Sequence, residues 1–203
     1  MAKQSYYNAA EHIAPETAAD PYQRPAFSLQ NRLRRLVWNT FWLLLYRTSP
    51  RPFHGWRAML LRLFGATLGP NCHFYPASKV HSPWNLVCAD GVAAGDGVEI
   101  YNPAPLRLGS HAILSQGAYI CGATHDFDDP GFPLLTYAME IGPYAWVCAK
   151  ACVAPGVKVG EGAVLGLASV ATKDLEPWTV YAGAPAVRVK ERKRPGGSEP
   201  GKN

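Results

Sequence analysis

The residues best equipped for chemistry lie between Tyr101 and Glu140. His125 is followed at once by Asp126 and then by Asp128 and Asp129, with Cys121 four residues before it. An imidazole near neutral pKa can take the proton of a hydroxyl as it attacks an acyl group, so His125 is a candidate general base. Asp126 could orient the ring or serve as a turn residue. Cys121 and His125 together would permit a covalent acyl-cysteine route. However, Cys121 occupies a slot that wants a small side chain, as Cys148 does, and it reads better as a small packed hydrophobe. The aspartates lack an EF-hand pattern and the five cysteines form no CxxC pair. No metal site or disulfide framework is therefore expected.

Something must position these groups, and the chain around them has a period of six. An aliphatic residue recurs at Ile141, Val147, Val153, Val159 and Leu165, and Ala171 takes the next slot. Four residues after each stands a mostly small side chain: Ala145, Ala151, Val157, Ala163, Ser169. Upstream the same register holds at Leu108, Leu114 and Ile120, with looser hexads starting at Leu68, Phe74, Val80, Leu86, Val92 and Val98. This period is neither helical nor simply alternating. It predicts short strands and turns wound into a coil, each unit burying its aliphatic against its neighbours. The 19 glycines and 18 prolines suit so many turns.

The coil is expected over 67–183, with two breaks. Four residues are inserted at Tyr101-Asn102-Pro103-Ala104-Pro105, before Leu108. Fifteen more, Asp126 to Glu140, separate the hexads of Ile120 and Ile141. This turn-rich loop, 126–140, is expected to protrude and to hold His125 at a cleft.

Residues 1–27 read as an extended arm with no signal-peptide character, which fits a cytoplasmic protein. Residues 28–66 read as an amphipathic helical segment. Ser28 is the expected N-cap, Leu29, Leu33, Leu36, Val37, Thr40, Phe41 and Leu44 form an apolar stripe, and Ser49-Pro50-Arg51-Pro52 is a break. A second helix carries Trp56, Met59, Leu60 and Leu63 on one face. Its Trp- and Arg-rich composition allows either packing on the protein or peripheral contact with the inner face of a membrane. The apolar run from Leu36 to Tyr46 is too short for a span, which needs about 20 residues. The net charge is +5, and +4 of it falls in Val187–Asn203, within an expected basic C-terminal tail, 184–203. The charge is therefore no argument for a nucleic-acid partner.

The hexads, together with Pro83-Trp84-Asn85-Leu86, Tyr101-Asn102, Ser115-Gln116-Gly117-Ala118-Tyr119, Thr124-His125-Asp126, Thr172-Lys173-Asp174 and Pro177-Trp178-Thr179-Val180, resemble the hexapeptide-repeat acyltransferases. The resemblance extends to the galactoside and maltose acetyltransferases and is strongest to the colanic-acid-type exopolysaccharide acetyltransferases. It implies a mainly β fold: a left-handed parallel β-helix of about five turns with an N-terminal helical segment. It implies acetyl-CoA as co-substrate, direct transfer to a sugar hydroxyl with His125 as base, and homotrimers with sites at subunit interfaces. Asn102, Tyr101 and Asp126 would meet the acceptor. Trp146, Ala149, Gly166, Ala168, Thr172, Lys173 and Arg188 would meet acetyl-CoA, although Arg188 is displaced by one residue from the family's usual ending. An N-acetyltransferase of an amino sugar would use the same base, and a non-catalytic trimeric interaction protein would share the fold. So would a γ-type carbonic anhydrase, but it needs three zinc-binding histidines, and no HxxxxH pair occurs.

Overall fold

The computed structural model describes residues 11–13, by their backbone alone, and 26–194. Most of the expected arm 1–27 and residues 195–203 of the expected tail lie outside the described residues.

The six-residue period builds a three-sided parallel coil. Face one is made of Thr67–Leu68, Leu86–Cys88, Leu106–Leu108, Met139–Ile141 and Lys158–Val159. Face two holds His73–Phe74, Ala93–Ala94, Ile113–Leu114, Trp146–Val147, Val164–Leu165 and Thr179–Gly183. Face three holds Lys79–Val80, Glu99–Tyr101, Tyr119–Cys121, Cys152–Val153 and Val170–Ala171. The chain visits the faces in that order. Five turns are complete, and a sixth begins where Leu175 bridges Val159 in parallel. Each strand pairs with its equivalent one turn away, so Leu108, Ile141 and Val159 fall in register, as do Leu114, Val147 and Leu165.

These aliphatics point inward and are buried, as are the corner residues Ala112, Ala118, Ala145, Ala151 and Ala163. Burying one such aliphatic side chain contributes about 1.5–3 kcal/mol. Most corners take alanine, which packs closely there, and others take a buried valine: Val92, Val98 and Val157.

The early register differs from the sequence reading. Leu68 pairs with Cys88, Phe74 with Ala94 and Val80 with Ile100. The inward slots of the second turn are thus Cys88, Ala94 and Ile100, two residues later than the hexads begun at Leu86, Val92 and Val98. Two extra residues sit in the 3-10 turn Pro83–Asn85, and only two, not four, in Tyr101-Asn102-Pro103-Ala104-Pro105. The count of four was right, but its placement was not.

Helix α1, Leu29–Phe41, is capped by Ser28, whose hydroxyl accepts from Asn31 N–H. It continues as a π-helical stretch, Trp42–Tyr46. The face that packs on the coil is not the stripe read from the sequence. It is Trp38, Trp42 and Tyr46: the two indoles donate to Val80 O (2.7 Å) and Ser78 O (2.9 Å), and the phenol pairs with Ser78 Oγ (2.7 Å). Leu29, Leu33, Leu36 and Leu44 stay exposed. In α2, His54–Leu63, Leu60 and Leu61 are buried, whereas Trp56, Met59 and Leu63 are exposed. Arg57 is buried as well. Its guanidinium donates to the carbonyls of Phe74, Pro50 and Arg51 and to Ser49 Oγ, tying the helix pair to the first turn.

At the other end the chain doubles back. Ala186–Glu191, read as part of a tail, is a strand antiparallel to Thr179–Gly183. Arg192 fastens it by donating to Tyr144 O and Gly162 O.

Candidate functional site

Three successive turns carry extra residues at one corner, where face three passes to face one. His81, Tyr101 and Cys121 leave face three in line, followed by Ser82, Asn102 and Gly122. The first two insertions lock together. Ser82 N–H donates to Asn102 Oδ1 (3.0 Å), Asn102 Nδ2 donates to Ser82 O (2.9 Å), and Asn85 Nδ2 donates to Pro103 O. Gly122 N–H donates to Tyr101 O at 2.7 Å. A Cβ on Gly122 would lie 2.6 Å from that same oxygen, so only glycine allows this close approach.

The third insertion is a hairpin. Ala123–His125 pairs antiparallel with Leu134–Thr136, and Glu11–Ile13 adds a third strand. The excursion expected over 126–140 is therefore displaced: it begins with Ala123–His125, and Met139–Ile141 is already back in the coil.

His125 ends the first hairpin strand, half-buried. Its Nδ1 lies 3.0 Å from Phe132 O. A carbonyl can only accept, so Nδ1 carries the proton and Nε2 presents the lone pair. The Phe132 ring stacks on the imidazole at 4.4 Å and 9°. Phe132 has φ +43, an uncommon conformation for a non-glycine residue. It closes a turn in which its N–H donates to Asp129 O. Asp126 does not orient the ring: its Oδ1 accepts from Asp128 N–H (3.1 Å), as an Asx-turn. Cys121 directs its thiol to Ala123 O (3.2 Å), not to the imidazole.

Asn102 is only 2% exposed, and both ends of its amide are engaged by Ser82. It shapes the corner beneath the hairpin and is not turned outward toward an acceptor. Tyr101 is half-buried against the His81 ring, 4.7 Å away and nearly perpendicular. Burial raises the Tyr101 phenol pKa. Burial, reinforced by the charges of Arg35 and Lys79, holds His81 down to about 4.

The residues expected to meet acetyl-CoA fall into separate places. Trp146 is exposed on face two and donates from its indole to Ser115 Oγ (2.8 Å). Ala149 and Ala168 stack at the corner from face two to face three, where Ala168 N–H donates to Ala149 O, and Gly166 leads into that corner. Thr172 and Lys173 are exposed at the same corner as His125, two turns further on. Arg188 faces Glu191 (3.2 Å) and Glu176 (3.9 Å), both exposed. The structure thus does not gather all seven around His125 within one chain. A cavity of about 560 Å³ lined by Tyr144, Glu161, Pro177, Trp178 and Arg194 opens at the corner from face one to face two, away from His125.

The sequence reading missed the Phe132 carbonyl, because a backbone acceptor has no residue signature. The only signal was the turn sequence Asp129-Pro130-Gly131, which announces that the chain folds back on His125. Among the described residues no three His, Cys, Asp or Glu side chains gather as a metal site. His54 lies against His73, while His81, His111 and His125 each rest on a different aromatic ring.

No family model matches the chain. A hexad-built coil with a histidine-bearing hairpin at one corner nonetheless has clear relatives, and the chain belongs to the hexapeptide-repeat acetyltransferase family. Within it, the chain is 35% identical over 162 residues to the Escherichia coli (strain K12) protein named for colanic acid biosynthesis, acetyltransferase WcaF. That match covers 80% of this chain and 89% of WcaF. Two solved structures share the fold. The hexapeptide-repeat acetyltransferase VCA0836 of Vibrio cholerae, complexed with acetyl coenzyme A, has a TM-score of 0.73 and 21% identity, over 84% of this chain and 93% of that one. A galactoside acetyltransferase in complex with coenzyme A has a TM-score of 0.73 and 21% identity, over 81% and 84%.

Proposed function

We propose that the protein transfers an acetyl group from acetyl-CoA to a hydroxyl of a sugar in a polysaccharide precursor, with His125 as general base. The observation that carries this reading is the Nδ1 contact to Phe132 O, which leaves Nε2 as a free base on a half-buried ring. Nε2 takes the proton of the acceptor hydroxyl as its oxygen bonds to the thioester carbonyl carbon. The charge formed on the ring is stabilised by the Phe132 carbonyl. As the carbon–sulfur bond breaks, the imidazolium returns the proton to the departing thiolate, so no acyl-enzyme is needed.

The separation of the acetyl-CoA residues supports assembly between copies. Trp146, Ala149, Gly166 and Ala168 lie on face two and its far corner, across face three from His125. A homotrimer whose neighbouring coils run side by side would set one copy's imidazole against another's groove. Lys173 and Arg188 would then be available to the nucleotide phosphates. The names of the relatives, one for colanic acid biosynthesis and one for a galactoside, support a carbohydrate acceptor.

The test is an acceptor screen with acetyl-CoA and neutral or amino oligosaccharides, read by mass gain of one acetyl group, with a His125→Ala control. Ester formation that falls about 10²-fold or more in the variant is expected. Turnover unchanged in the variant overturns the assignment, and acetylation confined to amines replaces the hydroxyl with an amino sugar.

A further inference from the structure

Helix α1 and its π-helical extension are apolar on two opposite sides. One side, Trp38, Trp42 and Tyr46, is spent on the coil. On the other, Leu29, Leu33, Leu36, Val37, Leu43 and Leu44 fall within an arc of about 120° at 100° per residue. They are 50–68% exposed. Helix α2 adds exposed Trp56, Met59 and Leu63. A surface of this extent on a stable protein marks a contact site. Its charge is equally one-sided: residues 28–66 contain seven arginines and no aspartate, glutamate or lysine. Only Arg57 is buried. Arg32, Arg34, Arg47, Arg51 and Arg62 are exposed, and among the described residues the one ion pair made from this segment joins Arg51 to Asp96.

We propose that this face lies in the headgroup region of a membrane bearing anionic lipids. Leucines and Trp56 would enter the acyl boundary, while the arginines would meet headgroup phosphates. No described helix is long and apolar enough to cross a membrane, so the contact is peripheral. A second copy of the chain fits less well as the occupant, since a two-fold contact through this face would set arginines against arginines. The helices pack on the first turn of the coil, so contact here would bring the insertion-bearing corner near the lipid surface. The proposal does not depend on which acceptor is acetylated.

The test is flotation of the whole chain with phosphatidylcholine vesicles, with and without phosphatidylglycerol, while light scattering follows its mass. Binding is expected only with the anionic lipid, and it should weaken with salt. It should fall about fivefold in Arg32→Gln, the loss expected for one arginine near the surface, and vanish in Leu36→Glu/Leu44→Glu. Both leucines point away from the coil, so the double variant should melt like the wild type and retain its mass. Binding that is absent, indifferent to headgroup charge or unchanged in the double variant overturns the proposal. A double variant of altered mass does so too, by assigning the face to contacts between copies.

Discussion

Two corners of the same coil follow opposite rules. From face two to face three the chain turns through Gly95–Gly97, Ser115–Gly117, Cys148–Lys150 and Gly166–Ala168 with no extra residue. Backbone bonds join each turn to the next, and at the tip of the corner they run from Gly117 to Asp96, Lys150 to Gln116 and Ala168 to Ala149. From face three to face one, three successive turns each bulge. There the stack is held by a side-chain amide, Asn102, and by Gly122. The strict corner makes the repeat self-supporting. The bulged corner gives up regularity and gains polar side chains at fixed positions, His125 among them. Repetition stabilises the coil, and its interruptions hold the side chains on which the proposed chemistry rests.

The largest effect that would break this division is on turnover. His125→Ala should lose about 10²-fold or more in kcat, as for removal of a general base. Its Tm should stay at the wild-type value, because the imidazole packs on the hairpin and not in the core. A matching fall in Tm would show that the bulged corner supports the fold as well. The reciprocal variant, Ile141→Ala, empties an inward slot and should cost about 2–5 kcal/mol in chemical denaturation, with kcat of the folded fraction unchanged.

Asn102→Ala tests the boundary between the two roles. It strands the Ser82 N–H and C=O in a buried corner and should cost about 1–3 kcal/mol. Its effect on turnover should be smaller than that of His125→Ala. A normal melting curve with lost turnover would instead make the amide an acceptor contact, against its buried geometry.

The smallest effect concerns pH. His81 is held at about 4 in the folded protein against an ordinary 6.5, so between these values the unfolded chain binds the proton more readily. Stability should be fully present above pH 6.5 and decline as the pH falls toward 4. His81→Gln should flatten that decline, and a curve unchanged in the variant would remove His81 as its cause.

The coil was legible from the sequence because each hexad repeats one demand, an aliphatic inside and a small residue at the corner, and neighbouring copies reinforce the pattern. The first turns were misread because Leu86, Val92 and Val98 are also apolar. They occupy corner slots, so two registers were equally hydrophobic until the 3-10 turn Pro83–Asn85 decided between them. The stripe on α1 is apolar in the sequence, but its partner, the protein or a membrane, stays open there. Periodicity identifies a face but not its partner, and here the indoles of Trp38 and Trp42, with hydrogen bonds to offer, took the interior. His125 could be picked out because it stands at a break in the period. The carbonyl that sets its tautomer could not be, since backbone groups look alike in a sequence.

The returning strand Ala186–Glu191 has a consequence for assembly in the crowded cell. A stack of parallel strands is a template, and its last rung offers open amides and carbonyls to any extended segment that drifts past. By folding antiparallel over Thr179–Gly183, with a row of exposed side chains that includes Arg188, Lys190 and Glu191, the chain occupies that edge of face two itself. Growth stops at a fixed length. A chain truncated before Ala186 would carry an uncovered rung and is expected to join end to end into fibres.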